Sequence, residues 1–203
     1  MTELESTSAT VTDPAKSVPG ASPGDGTAPA HRPSYTFLAV VSVITLALDL
    51  GSKLWAERRL ERPDPFTRTV DVIKGILDFQ LAKNHGGAFG LLADTPEYIR
   101  RPFFLLVSGL AITFIVSLYR RLAPAQRALR WGLPLVLGGA LGNLTDRIRY
   151  AYVIDFIHAH LTWGGRDHSW PTFNVADIAI CIGVGLMALD MFGSKAKARA
   201  AST

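Results

Sequence analysis

Two aspartates stand in surroundings suited to proton chemistry. Asp155 lies in "YVIDFIH", flanked by apolar residues and with no cation at helical spacing. A carboxylate so placed binds its proton more tightly than in water unless something stabilises the charge. Asp177 closes "FNVAD". If the two meet they can share one proton. One carboxylate then acts as base toward a water and the other as acid toward a carbonyl oxygen, the arrangement of aspartic peptidases. A structural role for the second motif stands beside this one. Asn174 and Asp177 have the spacing of an N-cap residue and the carboxylate that completes a capping box, which also suits the positive end of a helix.

Metal chemistry is the rival. His158 and His160 in "HAH", with His168 and Asp155, supply donor types found in zinc sites. Residues two apart on a strand point the same way. No zinc-ligand signature accompanies them, so neither metal nor cofactor is expected.

Further polar residues gather nearby. Asp49 and Lys53 are spaced to pair along one helix face, and Asn143 and Arg147 share that spacing with Asp146 between them. The first pair reads as a structural ion pair and the second group as a clasp at a helix end. Charge at bilayer depth costs roughly 2.5–3.5 kcal/mol per residue, so such groups are paired, interfacial or functional.

Long apolar segments must position all of these. The chain has 203 residues, 48% of them hydrophobic. Windows at roughly 35–55, 102–119, 131–145 and 173–192 are nearly free of charge. A helix needs about 20 residues to cross about 30 Å of hydrocarbon. The third window reaches that length only with its polar end. Buried helices of a soluble α protein are the competing reading, and surface argues against it: so short a chain has too little polar material to cover four such windows. The expected fold is therefore mainly α, with four transmembrane helices and a small extracytoplasmic β-sheet between helices 1 and 2. "TRTVDVI" and "ILDFQLA" supply its strands.

Charge placement orients the chain. The net charge is +4, and Arg120, Arg121, Arg127 and Arg130 lie between windows two and three without an acidic residue among them. Lys195, Lys197 and Arg199 follow window four. The positive-inside rule puts these segments and the N-terminus in the cytoplasm, and 56–101 and 150–172 on the other side. All the polar residues singled out then fall near the outer face. Basic residues that flank spans do not form a nucleic-acid stripe. Cys181 is the lone cysteine, so no intrachain disulfide is possible, and it reads as a packing residue. Residues 1–33 are poor in large apolar side chains and read as a disordered cytoplasmic tail rather than a cleavable leader. A membrane domain over 34–193 and a cytoplasmic C-terminal tail over 194–203 complete the organisation. In the third window Gly138 and Gly142 have the small-xxx-small spacing of closely packed membrane helices.

Five motifs in order, "DLGSK" (49–53), "NHGGAF" (84–89), "GGALGNLTDR" (138–147), "YVIDF" (152–156) and "FNVAD" (173–177), resemble those of the lipoprotein signal peptidases, or signal peptidase II. The resemblance implies an aspartyl endopeptidase of the bacterial inner membrane. It would act on prolipoproteins carrying a diacylglyceryl group on cysteine and cut just before that residue. Asp155 and Asp177 would be the catalytic pair. Asn143, Asp146 and Arg147 would form a supporting network, and Asn84, Gly86 and Asn174 would lie near substrate or the pair. Asp49 and Lys53 would tie span one to the rest. Its partners would be the lipid-modified precursor and membrane lipids, with a monomer sufficing. Two departures stand out. Ala151 replaces the family's usual glycine, and the stretch between Asp155 and Asp177 is longer than usual. A small proton-coupled transporter is the alternative from another class, and a membrane scaffold is a third. The transporter would spread its carboxylates through the membrane's depth.

Overall fold

The computed structural model describes residues 33–61, 68–87 and 91–200. The tail expected over 1–33 lies, but for Pro33, outside them. Among the described residues, four helices and four strands follow in the order α1 (Tyr35–Leu60), β1 (Thr69–Ile73), β2 (Leu77–Asn84), α2 (Glu97–Arg120), α3 (Arg127–Tyr150), β3 (Val153–Trp163), β4 (Arg166–Ser169) and α4 (Val175–Ala200).

The hydroxyl of Ser34 caps α1 by accepting from the Phe37 N–H at 3.3 Å. Along α1 the buried residues are Leu38, Ser42, Thr45, Asp49, Lys53, Ala56 and Leu60. Steps of three and four put them on one stripe. The opposite face is apolar too, with Val43 and Leu48 each 61% exposed. Leu106, Leu110 and Phe114 on α2 and Leu189 and Phe192 on α4 are likewise exposed. Apolar surface of this extent suits lipid, not water. α1, α2 and residues 175–192 of α4 are long and apolar enough to cross a membrane.

The other expected span, α3, is of a different kind. α3 has 24 residues but carries Arg127, Arg130, Asp146, Arg147 and Arg149 near its ends, and it packs against all three other helices. Its apolar middle faces protein. A Cβ on Gly139 would stand 2.6 Å from the Ala176 carbonyl oxygen, and one on Gly142 would run into the Asp49 carboxylate. Only glycine lets α3 approach α4 and α1 this closely.

The helices outrun the apolar windows. α1 continues to Leu60, α2 starts at Glu97, and α4 runs to Ala200 through most of the expected C-terminal tail. "SKAKARA" is rich in helix formers, and propensity extends the helix beyond its apolar part.

The sheet is larger than expected and only half of it lies between α1 and α2. All four strands join in one antiparallel sheet of order β1-β2-β3-β4. β3 and β4 come from the segment after α3, where the long stretch folds as a hairpin. Gly164 and Gly165, with φ of 62° and 72°, close it, as a two-residue loop matched to strand twist requires. Phe156, Ala56 and Leu60 form a buried cluster with Val70, Phe79, Leu81 and Ile157 packed against it. This seats the sheet on the end of α1.

α3 ends at Ala151, whose φ of 62° is left-handed and whose N–H donates to the Arg147 carbonyl at 3.2 Å. An L side chain there costs roughly 1–2 kcal/mol that glycine avoids. The departure at this position therefore keeps the turn and strains it. Ala151→Gly is expected to raise stability by about 1 kcal/mol, read as a higher Tm in detergent. A lower Tm would contradict the strain.

Candidate active site

β3 delivers Asp155 and the start of α4 delivers Asp177. Asp155 is buried; its Oδ2 accepts from Asn84 Nδ2 at 2.9 Å and its Oδ1 from Asn174 Nδ2 at 2.7 Å. Asp177 Oδ1 accepts from Asn143 Nδ2 at 2.9 Å. Asn174 Nδ2 also reaches Asn143 Oδ1 at 3.2 Å. Two asparagine side chains thus link the carboxylates, and both aspartates line one cleft of about 560 Å³ with Asn84, Asn143 and Arg147. Burial is the largest influence on Asp155 and pushes its carboxyl up to about 6. The Asn84 amide opposes this, the Asp177 charge adds to it, and Asn174 opposes it.

The capping box expected in "FNVAD" is present, and it leaves one Asp177 oxygen free to face the cleft. The Asp177 N–H donates to Asn174 Oδ1 at 3.0 Å, and the Asn174 N–H donates to Asp177 Oδ2 at 3.2 Å. This reciprocal box holds Asp177 at the helix N-terminus while its other oxygen faces Asn143.

A buried ion triad stands behind the pair. Lys53 Nζ lies 2.8 Å from Asp49 Oδ2 and 2.8 Å from Asp146 Oδ2, and donates to Asn143 Oδ1 at 3.0 Å. The anions reach further. Asp49 Oδ1 accepts from the Ala176 N–H at 2.9 Å, and Asp146 Oδ2 accepts from the Ile154 N–H at 3.2 Å. Ala176 precedes Asp177 and Ile154 precedes Asp155. One lysine thereby fixes the backbone beside both aspartates.

The clasp expected at the end of α3 joins Asn143 and Arg147 but reaches beyond that helix through Asp146. Among the described contacts, the partner of Asp146 is Lys53 across the helix interface, not Arg147. The Arg147 guanidinium donates to the Asn143 carbonyl at 3.3 Å and lies over the Phe104 ring at 4.8 Å. Gly86 is buried and its N–H donates to Asn84 Oδ1 at 3.0 Å. That bond turns the Asn84 amide nitrogen toward Asp155.

The zinc reading finds different company. His158 and His160 converge on Asp78, not on His168 or Asp155. Asp78 stands opposite His158 in the β2–β3 register, whereas His168 pairs with Leu161. Cys181 is exposed on the cleft wall, not packed inside. Arg100 carried no signal beyond its charge. It is buried and holds the loop before α2 by donating to the Ala93 and Thr95 carbonyls at 3.0 and 3.3 Å.

The family model for signal peptidase (SPase) II matches residues 41–193, a span containing every residue singled out for the site. The chain belongs to the signal peptidase II family. The lipoprotein signal peptidase of Geobacter metallireducens is 39% identical over 160 residues, covering 79% of this chain and 93% of its own length. That of Pseudomonas fluorescens is 41% identical over 155 residues, covering 76% and 86%. Two solved bacterial membrane enzymes share the fold. One has a TM-score of 0.68 at 23% identity, covering 82% of this chain and 94% of its own, and the other 0.64 at 24%, covering 79% and 95%. As a signal peptidase II this is a membrane-bound aspartic endopeptidase. The transporter and scaffold alternatives fall with that membership.

Proposed function

We propose that this signal peptidase II removes signal peptides from prolipoproteins carrying diacylglyceryl on a cysteine, cutting just before that cysteine, with Asp155 and Asp177 as the catalytic pair. The observation carrying this reading is the two carboxylates held through Asn174 and Asn143 in one cleft. Ile178 and Ile182, on the membrane-spanning part of α4, line the same cleft. Acyl chains can stay in lipid there while the peptide crosses the pair.

In the reaction Asp177 takes a proton from water as its oxygen attacks the scissile carbonyl carbon. Asp155, which burial biases toward its protonated form, protonates the carbonyl oxygen. Collapse of the resulting diol breaks the C–N bond and returns a proton to the leaving amine. Asn84 and Asn174 keep Asp155 aimed, and neither metal nor covalent intermediate is needed. The supporting placement is the inner membrane with both termini cytoplasmic, the pair at the outer face, and a monomer as the working unit.

The test is a gel-shift assay with purified protein and a precursor with or without diacylglyceryl modification. Cleavage of the modified form alone is expected. Equal cleavage of both forms would overturn the substrate assignment.

The pH dependence follows from Asp155. Its proton must be present, and the pair's apparent values are shared. Cleavage is expected to fall as pH rises through about 6 or, where bound substrate buries the pair further, somewhat above it. Asn84→Ala removes a donor to the ionised form and should move that limb to higher pH. A rate that climbs steadily from pH 5 to 8 would contradict the role of Asp155.

A further inference from the structure

The face of the sheet turned away from α1 carries a second polar cluster. The N–H groups of Phe156 and Ile157 both donate to the Phe173 carbonyl, at 3.0 and 2.8 Å. This bulge lets both residues pack against the cluster on α1. Alternation then puts His158 and His160 on the opposite face. Asp78, directly across from His158 on β2, joins them.

Three donor atoms converge. His158 Nδ1 lies 3.3 Å from Asp78 Oδ2, His160 Nδ1 lies 3.1 Å from the same oxygen, and the two Nδ1 atoms are 3.4 Å apart. Zinc binds imidazole nitrogen and carboxylate oxygen at about 2.0–2.2 Å, so neighbouring ligands in a tetrahedron stand about 3.3 Å apart. The triangle has that edge length on all three sides. Asp78 is buried, while His158 and His160 are 18% and 26% exposed, which leaves an approach for an ion and room for water. A cation would also relieve the crowding of two imidazole nitrogens on one carboxylate oxygen.

We propose that Asp78, His158 and His160 bind a divalent transition metal of the zinc class, with water completing the coordination, and that the ion clamps β2 to β3. The site is independent of the catalytic pair. Asp155 is three residues from His158, about 10 Å along the strand, and is held by Asn84 and Asn174 instead. The metal takes no part in peptide hydrolysis.

The test uses tag-free full-length protein in detergent, stripped with chelator and titrated with cobalt(II) and zinc(II) alone. One cobalt per chain with visible d–d bands, displaced by zinc, and a zinc-dependent rise in Tm are expected. Loss of a ligand should weaken binding by about a hundredfold or more. Asp78→Asn, His158→Gln and His160→Gln should each show this, and His168→Ala should not. A variant that fails to fold is set aside, because the other two report on the same site. No stoichiometric uptake by the wild type would mean a hydrogen-bonded Asp–His–His triad only. That result, or uptake persisting in the folded variants, would overturn the site.

Discussion

Asp155→Asn and Asp177→Asn are each expected to lower turnover of lipid-modified precursor on the order of ten-thousandfold, as loss of an essential acid or base does. Both proteins should still insert in the membrane. Asparagine nearly matches aspartate in volume, and an amide can keep part of the contacts to Asn84, Asn143 and Asn174. What it cannot do is take a proton from water or pass one to a carbonyl. Cleavage by the wild type should survive chelation at temperatures where the sheet stays folded, because the pair supplies both acid and base. The gel-shift assay reads both results. Substantial turnover by either variant, or chelator inactivation restored by zinc without a change in Tm, would move the chemistry elsewhere.

Lys53→Met is expected to cost about 3–5 kcal/mol, the effect of breaking a buried ion pair from one side. Lys53, Asp49 and Asp146 are all nearly inaccessible, at 2%, 0% and 2% exposure. Removing the lysine leaves two buried carboxylates facing each other. It also loosens the grip on the Ala176 and Ile154 N–H groups, so activity should fall along with stability. The triple change Asp49→Asn, Lys53→Met, Asp146→Asn leaves no uncompensated charge and should recover most of the stability. Thermal unfolding in detergent measures both variants. A loss under 1 kcal/mol for Lys53→Met would show that the triad is not what fixes the site.

Residues that announce themselves locally were legible in the sequence. Asp49 and Lys53 pair at helical spacing, and "FNVAD" builds its capping box within four residues. Asp155 stood out because nothing near it in the chain could neutralise it. The links between elements were not legible. Asp146 lies beside Arg147 in sequence, yet helix geometry turns the two apart and gives Asp146 to Lys53. Only the His158 and His160 part of β3 reads as strand-like in the sequence, because the bulge at Phe156 and Ile157 breaks the alternation before it. The apolar windows found the lipid-facing helices. α3 was the weakest of the four windows because its glycines and charges fit a helix enclosed by its neighbours. Asp78 had no mark at all, since its meaning depends on the register that sets it opposite His158.

The central claim is that Asp155 and Asp177 jointly address one tetrahedral carbon. The most direct measurement is an experimental structure with a lipid-modified peptide in which a hydroxyl-bearing carbon replaces the scissile carbonyl. That hydroxyl is expected within hydrogen-bond distance of both carboxylates, with the acyl chains lying along α4. A hydroxyl that touches only one aspartate, or neither, would contradict the account.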